Sequence, residues 1–283
     1  MPIHHESLTR LDFPEKEFAY DERDTMLYAL AVGMGRQMPG DLRFVFEQDL
    51  LALPTLATVI AWDDTWQDRT GIDISKVVHG EMRVTTHRPL APAGRVAAKL
   101  RITDVFDKGP GRGAVLLAET RLRDAATGEA VATLLSTVFA RGDGGFGGPL
   151  GRGPEPHALP RRAPDGVVES QTRPEQALLY RLCGDRNPLH ADPGFARRAG
   201  FERPILHGLC SYGIAAAGVV KAVCPDAPHR LTHVEARFTA PVFPGETLVT
   251  ELWLDPHGAS FRTTVAQRGV VALDHGRALI SQD

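Results

Sequence analysis

Two hydrophobic periods organise the chain, and they recur in the same order. Leu206 to Val223 is a nearly unbroken run of Ala, Gly, Leu and Val, which predicts a buried helix. Beyond it the period falls to two, and Thr232–Ala240, Glu246–Asp255, Ser260–Gln267 and Val270–Ser281 alternate as strands. Pro244-Gly245, Pro256-His257-Gly258 and Arg268-Gly269 break them apart. Lys76–Thr86, Arg95–Phe106, Val115–Asp124 and Ala130–Ala140 give the corresponding run in the first half, and the order of elements reads the same in each half. A short amphipathic helix opens each. In the second half Thr172 and Glu175 read as a capping box, with Pro174 in the first turn of a helix over Pro174–Leu182. One buried helix followed by consecutive antiparallel strands predicts an α+β unit whose curved sheet wraps that helix. Two such units predict sheets lying side by side.

Short echoes support a duplication. Leu27-Tyr28-Ala29-Leu30 matches Leu179-Tyr180-Arg181-Leu182, and Leu53-Pro54-Thr55-Leu56 precedes Ala57-Thr58 as Arg203-Pro204-Ile205-Leu206 precedes His207-Gly208. His79-Gly80-Glu81-Met82-Arg83-Val84-Thr85 matches His233-Val234-Glu235-Ala236-Arg237-Phe238-Thr239. A period of about 150 residues points to a repeated domain, not a solenoid. Between Gly142 and Pro164, 12 of 23 residues are Gly or Pro, too many for a helix or a core. This divides the chain into 1–141, a linker or long surface excursion over 142–166, and 167–283; a floppy active-site lid is the alternative for the middle stretch.

Composition narrows the function classes. Lys and Arg number 32 against 35 Asp and Glu, so nothing favours phosphate neutralisation, and nucleic acid is not an expected partner. The longest apolar stretch, Ile205 to Val223, is interrupted by His207, Ser211, Tyr212 and Lys221, and no membrane span is expected. The start, Met1 to Phe18, lacks the apolar region of a secretory signal, and Ser281-Gln282-Asp283 is no peroxisomal address. Three cysteines (Cys183, Cys210, Cys224) with no CxxC pair imply a reducing compartment, and a cytoplasmic location is expected.

The densest polar window is Cys183-Gly184-Asp185-Arg186-Asn187-Pro188-Leu189-His190. Gly184 suits the left-handed end of a helix, and Pro188 bars its continuation. Asp185, Asn187 and His190 would then share a short, stiff turn. Asp and Asn alone could instead serve an ordinary turn by satisfying its backbone. In Pro204-Ile205-Leu206-His207-Gly208-Leu209, the entry to the buried helix, first-turn N–H groups lack intrahelical acceptors. Gly208 lets a ligand oxygen come close, although it could merely permit helix–sheet packing. His207 is given no proton-transfer role. An Asp/His pair that polarises water, facing an N–H that polarises a carbonyl, suits adding water across a double bond conjugated to a thioester. No metal-ligand spacing is seen, so neither metal nor cofactor is expected, and no Gly-x-Ser-x-Gly elbow supports acyl-enzyme chemistry.

The run Tyr180–His190, followed by Ala199-Gly200-Phe201 and Pro204–Leu209, resembles the MaoC-like, (R)-specific enoyl-CoA hydratases. Tyr20–Asp24, Leu53-Pro54-Thr55, His79-Gly80-Glu81, Asp107-Lys108-Gly109 and Gly144–Gly148 extend the likeness over almost the whole chain, to the hydratase part of peroxisomal multifunctional enzymes. The resemblance implies a double hotdog packed as a pseudo-dimer, with catalysis in the second half. It implies that Asp185 and His190 activate water, that Asn187 supports the turn and that the Gly208 N–H polarises the thioester. His79, Gly80, Lys108 and Phe238 would contact acyl-CoA, with Arg186, Pro188 and Leu189 as further substrate contacts. The first half carries Ala57-Thr58 at the place of His207-Gly208 and no Asp-x-Asn-Pro-x-His, so its implied role is to shape the acyl pocket and hold part of CoA. Arg186 is a departure, since close relatives often carry Trp there; it binds a CoA phosphate or is simply solvated. By the same analogy the chain would form a homodimer. A hotdog acyl-CoA thioesterase is the competing enzyme, although Gly208 to Lys221 carries no carboxylate, and a non-catalytic acyl-binding module is the competing class.

Overall fold

The computed structural model describes residues 3–37, 39–151 and 153–282; Met1, Pro2 and Asp283, which belong to the terminal readings above, lie outside the described residues, as do Met38 and Arg152. Among these described residues ten strands form one antiparallel sheet: β1 (Lys16–Tyr20), β2 (Val77–Thr86), β3 (Gly94–Asp107), β4 (Ala114–Asp124), β5 (Ala130–Ala140), β6 (Gly166–Gln171), β7 (Leu231–Phe238), β8 (Thr247–Asp255), β9 (Gly258–Val265) and β10 (Val270–Ile280). Their spatial order is β1-β3-β4-β5-β2-β7-β10-β9-β8-β6. The halves join at β2 and β7, from Glu81 opposite Arg237 to Thr85 opposite His233. The echoed sequences His79–Thr85 and His233–Thr239 therefore meet at the seam, and the side-by-side expectation holds as a double hotdog.

Among the described residues seven helices accompany the sheet: α1 (His5–Thr9), α2 (Glu22–Ala31), α3 (Leu42–Val45), α4 (Ala57–Ile60), α5 (Gln176–Tyr180), α6 (Pro193–Arg198) and α7 (Gly208–Val223). In α7 every residue from Leu209 to Val220 is buried, as its unbroken apolar run requires. Helix α2 crosses it so closely that a Cβ on Gly213 would stand 2.6 Å from Val32 Cγ1 and 2.8 Å from the Tyr28 hydroxyl. The contact ties the two halves through one core.

Two expectations fail locally. Thr172 and Glu175 form no capping box: the Thr172 hydroxyl donates to the Glu246 carbonyl at 2.7 Å and accepts from the Gly245 N–H at 2.9 Å. Tertiary partners claim the hydroxyl, Glu175 sits at the N-cap without a side-chain bond, and the helix starts only at Gln176. The reciprocal box is at the other short helix, α2, between Asp21 and Asp24.

The first half also lacks a full central helix. A 3-10 turn (Pro54–Leu56) and α4 end at Ile60. Next, Asp63 accepts from the Thr65 N–H and hydroxyl and pairs with Lys16, which starts a new turn and leads the chain away. Ile3, Leu8 and Phe13 from the N-terminal segment, with Trp66 and Ile72, then cover the concave face in a separate cluster over Ile102, Val105, Leu116 and Val138.

The Gly/Pro-rich stretch is anchored at several points. The buried Asp107 carboxylate accepts the N–H groups of Gly109, Gly145 and Gly147 at 2.7–2.8 Å. Burial would raise this acid, but those N–H groups outweigh it and hold the carboxyl below its usual range. Further on, the Arg83 guanidinium donates to the Glu155 carbonyl at 3.4 Å, His157 Nε2 bonds the Ser260 hydroxyl at 2.8 Å and His275 Nδ1 donates to the His157 carbonyl at 2.8 Å. This path lies over the seam's outer face, above the ion pairs of Arg83 with Glu81 and Glu235.

Candidate active site

Helix α5 continues into a 3-10 turn over Arg181–Cys183 that stops at Gly184, whose φ is +145°. A Cβ there would lie 2.8 Å from Trp62 Cβ, so both the backbone and the packed indole demand glycine. Asp185 Oδ1 then accepts the Asn187 N–H at 3.0 Å, and Asn187 Oδ1 accepts the Leu189 N–H at 3.0 Å. Asn187 thus caps a second 3-10 turn, Pro188–His190, with Pro188 at its first position. The amide organises backbone and the proline stiffens it, which fixes the acid and the imidazole at the two ends of one bend.

The His190 ring is 8% exposed, and its Nδ1 lies 2.9 Å from the Ile205 carbonyl. A carbonyl only accepts, so Nδ1 carries the proton and Nε2 presents its lone pair. That nitrogen is 3.9 Å from Asp185 Oδ2, too long for a direct hydrogen bond. Two bonds of about 2.8 Å, however, converge on one water oxygen across such a gap. Burial pushes the Asp185 carboxyl up and pulls the His190 imidazole down. Asp64 adds to the first shift and Arg181 to the second. The pair therefore keeps a neutral imidazole beside its acid, and its protons belong to both groups together.

Gly208 opens α7 and is exposed, although the twelve residues after it are buried. Its N–H is a first-turn donor with no acceptor inside the helix. The Phe238 ring borders it, 3.1 Å from where a Cβ would stand. Against Phe238 packs His79, with ring centroids 4.7 Å apart and Nε2 2.9 Å from the Ser136 hydroxyl; burial pushes its pKa down to about 4. Gly80 occupies the bulge after His79. Lys108 lies with its ammonium 4.6 Å over the Phe139 ring, and Phe139 pairs with Val78, next to His79. Helix tip and seam strands are so linked through Phe238 and His79. Arg186 and Pro188 are exposed and Leu189 half-buried on the turn, and the Arg186 carbonyl accepts from Arg181.

His207 has no proton-transfer role in the sequence reading, and its place beside the pair was unread. Its ring stacks on His190, with centroids 3.7 Å apart and planes 26° from parallel, and its Nε2 is 3.1 Å from the Asp185 carbonyl. Side-chain nitrogen and oxygen atoms of Asp185, His190 and His207 all lie within 4.8 Å of one another. No metal-motif spacing along the chain marks the three residues, which converge only through the fold. Trp62 and Asp64, from the first half, and Arg181 were also unread; only their tertiary positions mark them.

Comparisons with known proteins show the family of the chain. The MaoC like domain family matches residues 156–275, and the MFE-2 hydratase 2 N-terminal domain matches residues 18–142. The chain is 43% identical to 3-hydroxyacyl-thioester dehydratase Y of Mycobacterium tuberculosis, over 88% of this chain and 87% of that protein. It is 39% identical to the peroxisomal enoyl-CoA hydratase 2 of Arabidopsis thaliana, over 92% and 90%. The chain belongs to the MaoC-like dehydratase family. A crystal structure of a MaoC-like dehydratase from Phytophthora capsici superimposes with a TM-score of 0.88 at 32% identity, covering 98% of this chain and 99% of that one. Within this member of the family, the MaoC match holds Asp185, Asn187, His190, Gly208 and Phe238, and the N-terminal match holds His79, Gly80 and Lys108.

Burial of neutral histidine has a measurable consequence for stability. Burial, with His190 adding to it, pushes the His207 pKa down to about 3. An imidazole depressed in the folded state stabilises fully above its unfolded value, near 6.5, and loses that contribution as pH falls from there toward 3. Between pH 7.5 and 5 the loss from His207 is roughly 2 kcal/mol. Urea unfolding of the native protein and of His207→Phe at both pH values checks it: the variant should lose less stability on acidification, and equal losses would contradict a buried neutral imidazole.

Proposed function

We propose that this protein reversibly hydrates trans-2-enoyl-CoA to (3R)-3-hydroxyacyl-CoA, using the turn of residues 185–190 and the start of α7. The 3.9 Å spacing of Asp185 Oδ2 and His190 Nε2 beside an exposed Gly208 is the observation that carries the reading. Water held between the two groups gives its oxygen to C3 of the enoyl thioester, and a proton passes to C2. The negative charge that builds on the thioester oxygen meets the Gly208 N–H and the positive end of α7. Because Asp185 and His190 share their protons, the pair removes one from water and supplies one to carbon as a unit. Dehydration runs the same steps backwards.

The division of labour in this reading is a binding half over 1–141, a connecting stretch over 142–166 and a catalytic half over 167–283. The first half contributes Lys108 and His79 near CoA, and the shortened central helix leaves room for the acyl tail. A crevice runs there between Phe13, Phe18, Trp66 and Leu100. Asp63 lines it, and the neighbouring Trp62 packs on Gly184, one residue from the proposed acid. We further propose a homodimer in the cytoplasm: the three cysteines are free thiols suited to a reducing compartment, and no helix among the described residues is long and apolar enough to cross a membrane. Sedimentation velocity checks the dimer.

Turnover of a chain-length series of enoyl-CoAs, with chiral analysis of the product, tests the activity. Only (3R)-3-hydroxyacyl-CoA is expected. A (3S) product overturns the proposed face of addition, release of free CoA indicates a thioesterase, and thermal stabilisation by acyl-CoA without chemistry indicates a binding module.

A further inference from the structure

His207 has no part in the steps proposed above, yet the elements of the site meet on it. It is the N-cap residue of α7, directly before Gly208, and its carbonyl accepts the N–H groups of Cys210 and Ser211 at 3.1 and 3.2 Å. Its side chain is spent elsewhere, for it makes no cap bond. The Asp185 carbonyl can only accept, so His207 Nε2 carries the ring proton and donates it there at 3.1 Å. The lone pair therefore sits on Nδ1, which is buried with no protein partner among the described residues. The ring lies against His190, and Tyr180 approaches it with centroids 4.9 Å apart. At 2% exposure it is among the most buried polar residues of the chain.

Resting on the hydratase reading, we infer that His207 is a positioning residue, which sets the gap shared by Asp185 and His190 through its bond to the Asp185 backbone and its ring against the imidazole. The two contacts do different things. The hydrogen bond locks the peptide that carries the acid, where a misplacement of about 1 Å costs on the order of a hundredfold in rate. The stacked ring shields a face of His190 from water, so protonation of His190 meets a poorly solvated site. The other charged or titratable groups facing this cluster are Asp185 and Arg181 on the adjoining turns, Asp64 from the first half, and Tyr180. All of them remain when His207 is replaced.

Two substitutions separate the contacts. His207→Phe keeps a flat ring but loses the donor; kcat should fall about tenfold or more with KM within about threefold, and the acid limb of kcat/KM should stay in place. His207→Gln keeps a donor for the Asp185 carbonyl but loses the ring. Its kcat at pH 8 should remain within about threefold of the native value, while the acid limb rises by about half a pH unit or more toward an ordinary imidazole. Folded variants that both match the native protein in kcat and pH profile overturn the inference. Should a variant fail to fold, nitrogen-15 NMR of the native protein's histidines decides: His207 should show an Nε2–H tautomer that does not titrate down to pH 4.5. An Nδ1–H tautomer, or titration near 6.5, overturns the assignment. A native protein without hydratase activity refutes the functional reading instead, and the NMR readout is independent of that outcome.

Discussion

Asp185→Asn is expected to lower kcat for enoyl-CoA hydration by about 10²–10⁴-fold with little change in KM, the range a positioned acid–base group contributes. Asparagine keeps an oxygen to accept the Asn187 N–H, so the turn should survive while the charge beside His190 disappears. His190→Ala should cost a similar factor. The two residues hold one water from two sides, so the double variant should be about as slow as either single one, because members of a catalytic unit are not additive. Steady-state kinetics with circular dichroism as a folding control make the comparison. Near-native turnover in either single variant, or a double variant slowed by the product of the two factors, would break the proposed unit. Burial pulls the imidazole's pKa down, so the acid limb of kcat/KM should lie below pH 6.5 in the native protein.

Gly208→Pro should be the next most damaging change, lowering kcat by about 10²–10³-fold, the usual effect of removing one oxyanion donor. The substitution deletes the N–H and little else. Proline is favoured at the first position of a helix, and His207, with φ −58° and ψ 135°, already has the extended backbone that a following proline demands. Gly208→Ala is the matching control: it keeps the N–H and presses on Phe238 at about 3.1 Å, a contact the ring can relieve by a small shift. Thermal unfolding should show both variants folded. A proline variant retaining more than about a tenth of native kcat would remove Gly208 from the mechanism.

Much of the site was legible because it is local. From Gly184 to His190 the residues that build the bend and those proposed to do chemistry alternate within seven positions: the glycine, Asn187 and Pro188 shape the backbone, while Asp185 and His190 use it. Eight strands were equally legible, since a curved sheet with one buried face writes its alternation into the chain, whereas the short edge strands β1 and β6 were not read. The capping box was misread because Thr172 has the right spacing to Glu175 but finds better partners around Glu246, which no local rule shows. The symmetry of the repeat likewise promised a second central helix, yet Asp63 and Trp62 divert the chain after Ile60 into contacts with Lys16 and Gly184.

By itself, then, the sequence determined two units of antiparallel strands with their sheets side by side, the buried helix of the second, and the short bend that presents an acid and an imidazole. These follow from periodicity and backbone chemistry within a few residues. Only the tertiary structure decided that His207 lies on His190, that Trp62 and Asp64 from the first half border the second, and that the acid and imidazole stand 3.9 Å apart. Each of these depends on segments far apart in the chain being pressed together by burial, and desolvation, which then moves the pKa values, exists only after that collapse.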